Sequence, residues 1–102
     1  MKEAKVIEMV LWKSKAGVSA ETAKEAISAL NEFVSKQPGF VSRKTGLAEN
    51  GQFVDFVLWT DLASAQAASE KAMQDPSVAP AFETIDEKEM QFNHFEIFNV
   101  AP

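Results

Sequence analysis

The sequence predicts an α+β fold, a four-stranded antiparallel sheet carrying two helices on one face. Three observations lead there. First, the strand-like segment Val6-Ile7-Glu8-Met9-Val10-Leu11-Trp12 returns forty-seven residues later as Phe53-Val54-Asp55-Phe56-Val57-Leu58-Trp59, with three positions identical and an acid at the same place in both copies. Second, each copy runs through a short turn into an alanine-rich stretch with helical periodicity. Third, Asn50-Gly51, a strong short hairpin signal, returns the chain into the second copy.

The elements follow in order. Residues 5–13 are rich in Val, Ile, Leu and Trp and read as a strand. Lys15 to Val18 turns the chain, and Ser19 is placed to cap a helix with Glu21 in its first turn, where the helix dipole favours an acid. Ala23, Ile27, Leu30 and Val34 fall on one helical face, and Pro38-Gly39 ends the helix. Phe40 to Leu47 forms a second strand and Phe53 to Trp59 a third. Asp61 caps a second helix over residues 62–74, whose buried side is nearly all alanine. Pro76 stops it, residues 77–85 hold an extra helical turn, and residues 88–100 form the last strand. The order strand, helix, strand, strand, helix, strand is the split βαβ, or ferredoxin-like, arrangement, and residues 1–102 read as one domain without linker or low-complexity segment.

Composition narrows the function classes. The net charge is −5 and the densest basic feature is the pair Arg43-Lys44, so a nucleic-acid interface is not expected. No apolar run approaches the ~20 residues of a membrane span. The chain has no cysteine, which removes disulfides, cysteine nucleophiles and thiolate metal sites. Met1 to Lys5 carries charge of both signs and does not read as a secretory signal, which points to the cytoplasm.

Strand parity sorts the side chains into two faces. Ile7, Met9 and Leu11, with Val54, Phe56 and Leu58 and with Phe95 and Ile97, are purely apolar and are assigned to the helix side. The other face groups Val6, Glu8, Val10 and Trp12 with Phe53, Asp55, Val57 and Trp59 and with Phe92, His94, Glu96 and Phe98. It is too apolar for water, yet it carries three acids and the chain's one histidine. Two helices cover one face only, so a second copy packed sheet to sheet about a two-fold axis is the simplest cover. A homodimer of this kind encloses a small-molecule cavity, between the two sheets or between helices and sheet.

These segments, together with Gln37-Pro38-Gly39-Phe40-Val41-Ser42-Arg43, Asp61 with its alanine helix, and Asn93-His94-Phe95-Glu96, resemble the dimeric α+β barrel family typified by the antibiotic biosynthesis monooxygenases. The resemblance covers almost the whole chain. It implies a ferredoxin-like subunit, and an activity among cofactor-free oxygenases, quinol oxidases, haem-degrading enzymes and lactone isomerases. Haem-degrading relatives carry a histidine ligand on the second helix; Leu62 to Gln74 contains none.

His94 is the sharpest single residue, because an imidazole ordinarily titrates near ~6.5 and exchanges protons at neutral pH. The expectation is a general base at His94, oriented by Glu8 and Asp55, with Trp12, Trp59 and Phe92 as apolar walls and Arg43 among the substrate-binding residues. The competing reading makes His94 a structural residue bonded to a carboxylate across the dimer seam, pairs the acids with Arg43 or with a lysine of the other subunit, and makes the tryptophans packing anchors at the dimer interface. No dense ligand spacing such as His-x-x-x-His exists, so no metal or other cofactor is expected. The expected activity is a cofactor-independent monooxygenase or isomerase acting on a small aromatic or enolisable compound. The alternative is a non-catalytic binding or structural homodimer. Residues 75–85 hold Pro76, Pro80 and Phe82 and are expected to lie over a cavity mouth as a lid.

Overall fold

The computed structural model describes residues 3–102. Strand β1 (Val6–Ser14) leads to helices α1 (Ala20–Ser28) and α2 (Leu30–Ser35), then strands β2 (Phe40–Leu47) and β3 (Gln52–Trp59). Helix α3 (Leu62–Gln74), a 3-10 turn at Pro76–Val78, the short helix α4 (Ala79–Phe82) and strand β4 (Ile85–Glu96) complete the order. The sheet runs β2-β3-β1-β4 with every pairing antiparallel. This is the ferredoxin-like arrangement that the order of sequence signals predicts.

Local chemistry accounts for the ends of the elements. The Ser19 hydroxyl accepts from the Thr22 N–H at 3.1 Å and starts α1. The Asp61 carboxylate accepts from the Ser64 N–H at 2.7 Å and starts α3. Both satisfy a helix donor that has no intrahelical acceptor. The first helix breaks once, at Ala29, which keeps a right-handed helical conformation, so α2 continues from α1. The hairpin at Ala48–Gln52 turns through Gly51 at φ +89°, a left-handed conformation open to glycine.

The parity groups are those of the sequence, but their sides are reversed. Val10, Trp12 and Phe53 pack with Ala23 and Ile27 of α1 and with Ala81 and Ile85. Val6, Val57 and Trp59 pack with Ala65 and Ala68 of α3. The mixed aromatic and acidic face is therefore the one beneath the helices. The purely apolar set Ile7, Met9, Leu11, Val54, Phe56 and Leu58 lies on the other side and stays half-exposed. The physical reason is size matching. Helices that present alanines fill little of the space between the layers, so large rings on the sheet fill it. Trp12 stacks on Phe53 with centroids 5.4 Å apart, and Phe40 meets Trp59 edge-on at 6.0 Å.

Two further expectations are corrected. The last strand begins at Ile85 and ends at Glu96, and it carries a bulge: its pairing with β1 jumps from Leu11↔Gln91 to Lys13↔Asp86. Residues 75–85 pack as part of the core rather than as a lid, because Val78, Ala81, Thr84 and Ile85 are all buried.

Gly39, which opens β2, shows where the packing is tightest. Its φ is +84°, and a Cβ there would run into the Ser64 side chain and sit 2.8 Å from Thr60 Oγ1. Gly17 has the same hand, φ +86°, but open space around it. Gly39→Ala therefore adds a clash to the backbone strain and is expected to cost more than the ~1–3 kcal/mol of strain alone. Gly17→Ala bears only the strain. Thermal unfolding of both variants checks this: the Tm loss of Gly39→Ala must exceed that of Gly17→Ala.

Candidate active site

The register of the three strand pairs places the titratable groups. Glu8 lies opposite His94 on β4 and opposite Val57 on β3. Asp55 lies opposite Val10, so Glu8 and Asp55 are diagonal neighbours across β1 and β3. Such positions have Cα atoms roughly 7–8 Å apart. By the same geometry Trp59 is diagonal to Glu8, and Trp12 is diagonal to Asp55. The four side chains form a zigzag Trp12–Asp55–Glu8–Trp59 along the centre of the helix-covered face.

Each acid is held by a base from the adjoining outer strand. Asp55 takes a two-pronged bond from Arg43 on β2, Nε to Oδ1 at 2.9 Å and Nη2 to Oδ2 at 2.9 Å. Arg43 Nη1 also donates to the Ile27 carbonyl at 3.1 Å and to Asn31 Oδ1 at 2.9 Å. Its side chain is 3 % exposed. Four of its five N–H donors are committed within the protein. Glu8 Oε1 lies 3.0 Å from His94 Nε2. The His94 side chain is 18 % exposed. The Phe92 ring meets the imidazole edge-on with centroids 5.2 Å apart and is itself exposed.

Glu8 and His94 thus form the chemically available half of the band. Burial pushes the Glu8 carboxyl above its ordinary 4.5, and the charge of Asp55 pushes the same way. The His94 bond and the more distant Arg43 pull it down without cancelling the burial. With Glu8 ionised and the imidazole neutral, Nε2 carries the hydrogen that it donates to Oε1, and the Nδ1 lone pair has no partner among the described residues. That is the tautomer a general base needs, and it is fixed by the carboxylate behind the ring.

The tryptophans stand at opposite ends of the face. Trp12 pairs with Phe53 and Trp59 with Val6, so roughly 20 Å of strand separates them. They do not line one pocket together. Both indole Nε1–H groups are buried without an acceptor among the described residues. The sequence signal for this zigzag was the repeat itself, whereas Asn31 and the Ile27 carbonyl left no trace in it. Two surface grooves lie away from the pair: one of about 1010 Å³ is lined by Phe33, Lys36, Pro38, Lys71 and Val78 among others, and another by Asn31, Phe40 and Arg43 among others. Among the described residues no three His, Asp or Glu side chains converge as a metal site, and no helix is long and apolar enough to cross a membrane.

No protein-family model matches the chain. No curated protein matches it either. Solved structures do. SnoaB, a cofactor-independent oxygenase from Streptomyces nogalater, superposes with a TM-score of 0.80 at 15 % identity, covering 98 % of this chain and 99 % of that one. The monooxygenase ActVA-Orf6 of Streptomyces coelicolor, solved with nanaomycin D, gives 0.71 at 10 % identity, covering 97 % and 92 %. A dimeric ferredoxin-like protein from an uncultured marine organism gives 0.71 at 9 % identity, covering 98 % and 93 %. At such identities the likeness establishes the fold. The structural neighbours of this chain are antibiotic biosynthesis monooxygenase-like proteins, and it shares their ferredoxin-like architecture.

Proposed function

We propose that the protein is a cofactor-independent monooxygenase or isomerase of a small aromatic or enolisable compound, working as a homodimer. The observation that carries this reading is the Glu8–His94 pair: a buried carboxylate 3.0 Å from an imidazole whose side chain is 18 % exposed. The neighbours named as monooxygenases support the oxygenase branch.

The chemistry follows from the base. His94 Nδ1 takes a proton from a phenol or an activated C–H, and Glu8 stabilises the imidazolium that forms. The resulting enolate is electron-rich. In the oxygenase branch it reduces molecular oxygen itself: a methylene becomes a carbonyl, one oxygen atom stays in the product and the other leaves as water. In the isomerase branch the imidazolium returns the proton to a different carbon. The exposed Phe92 ring beside the imidazole offers a face for a flat substrate.

The non-catalytic reading has its own observation. Trp12 and Trp59, 2 % and 1 % exposed, fill both ends of the space between sheet and helices. Turnover separates the two. With phenols, quinols and enol lactones as substrates, oxygen uptake and product mass are followed for the native protein, His94→Ala and Glu8→Gln. The expected result is a loss of 10²-fold or more in kcat for His94→Ala, the scale of general-base catalysis. Glu8→Gln should fall less. Unchanged turnover in His94→Ala rejects the base.

Glu8 also makes a stability prediction. Its folded carboxyl holds the proton more tightly than the unfolded one, so protonation favours the fold, and that contribution is lost as pH rises from 4.5 through the folded value. Glu8→Gln removes this dependence. The Tm of the variant should therefore gain on that of the native protein as pH rises across the window, and parallel Tm–pH curves would contradict it.

The dimer rests on the half-exposed face of Ile7, Met9, Leu11, Val54, Phe56 and Leu58, bordered by the exposed Phe95. Beyond β4 the chain adds Phe98, 94 % exposed, and Val100. Apolar surface this continuous calls for a partner, and a second copy offers the same sheet in return. Phe56→Lys is expected to yield a folded monomer in sedimentation. A native protein that already sediments as a monomer at micromolar concentration would overturn the dimer.

A further inference from the structure

The repeat supplies two acids at equivalent positions, yet their settings differ, and the difference assigns a role to Asp55 and Arg43. Arg43 spends four donors inside the protein, two on Asp55 and one each on the Ile27 carbonyl and Asn31. At 3 % exposure its guanidinium is closed to a substrate. Asp55 has an oxygen in each prong of the fork, and its side chain is 14 % exposed. Neither residue is placed to exchange a proton. Both are placed to act on Glu8, because Asp55 is its diagonal neighbour and Arg43 lies opposite Val57, in the same cross-strand row as Glu8 and His94.

We infer that the Asp55–Arg43 pair is a positioning device that stays out of contact with substrate and sets how readily the Glu8–His94 pair takes up a proton. The inference rests on Glu8–His94 being the proton acceptor. Two opposite charges sit at unequal distances from Glu8, the negative one nearer along the zigzag. Ionised Glu8 therefore meets a net repulsion from the pair, which adds to the cost of its burial. Among the described residues, only His94, Asp55 and Arg43 bring a charge to bear on Glu8. α3 faces it with Ala65 and Ala68, α1 and α2 contribute the Ile27 carbonyl and the Asn31 amide, and β4 contributes His94 itself. The same bonds hold β2 to β3 and to the α1–α2 connection, so the charge that acts on Glu8 is fixed in position. Arginine suits this task because it stays protonated throughout the working pH range and grips a carboxylate in a plane.

The experiment is a carbon-13 NMR titration of the Glu8 side-chain carboxyl in the native homodimer, in Asp55→Asn and in Arg43→Gln. The two changes remove opposite charges, so the midpoint should fall in Asp55→Asn and rise in Arg43→Gln. A purely structural role would disturb Glu8 in the same direction in both, or not at all, and either outcome overturns the inference. Should Arg43→Gln fail to fold, Asn31→Asp replaces it. Asn31 is exposed, and the new carboxylate draws on Arg43 and weakens its pull on Glu8, so the midpoint should again rise. With a substrate in hand, Asp55→Asn should move the pH profile of kcat to lower pH and leave KM within about twofold. The titration needs no activity. If the midpoints move as stated while His94→Ala turns over normally, the action of the Asp55–Arg43 pair on Glu8 stands but its link to catalysis falls with the general-base reading; if His94→Ala is inactive and the midpoints do not move, the base stands and the inference is overturned.

Discussion

Two carboxylates on the buried side of a sheet must be neutralised, and that requirement organises this protein. Glu8 and Asp55 lie on the two central strands beneath α1 and α3, where an unpaired charge is costly. Neither central strand can supply the counter-group, because its other inward positions are spent on Val6, Val10, Trp12, Phe53, Val57 and Trp59. The outer strands supply it instead, His94 from β4 and Arg43 from β2. The order β2-β3-β1-β4 sets each base beside its acid. A polar band thus crosses the sheet at its middle, with one apolar cluster around Trp12 and Phe53 on one side and another around Trp59 and Val57 on the other.

The repeat, the Asn-Gly hairpin and the two caps made the architecture legible, because each is a local signal with a local cause. The grouping of side chains by face was legible too, since parity needs only a regular strand. The side on which each group lies was not. A purely apolar face looks like the natural floor for helices, and a face with Glu8, Asp55 and His94 looks like one that needs solvent or a cavity. The choice turned on a property of the helices: Ala23, Ala65 and Ala68 reach little way down, so tryptophans must reach up. The bulge in β4 is equally invisible in composition, and the pairing beyond it brings His94 opposite Glu8. Arg43 was recognisable as a partner for an acid, while its bonds to Asn31 and the Ile27 carbonyl depend on how α1 and α2 meet the sheet.

The reversal of faces also separates two questions that the sequence had merged. The candidate site lies within a single chain, on the helix-covered face toward β4. The half-exposed apolar face lies on the far side of the same sheet. The proposed substrate site and the proposed dimer interface therefore use different surfaces. Each strand serves both through its alternate residues: Glu8 faces the pair with His94, and Ile7 and Met9 on either side of it face outward.

What distinguishes the two halves is the partner each acid received. Arg43 forks onto both carboxylate oxygens of Asp55, so the geometry of that pair is closed. His94 meets Glu8 through one nitrogen only, and its side chain stays 18 % exposed. The backbone positions are equivalent by register and the acids differ by one methylene, so neither explains why one half is inert. The identity of the base on the outer strand does. The inert half still matters to the other, because Asp55 acts on Glu8 across the strand pairing. A doubled scaffold thus carries one acid in a closed fork and the other in a single, part-exposed contact, and the difference comes from the residue that each outer strand supplies.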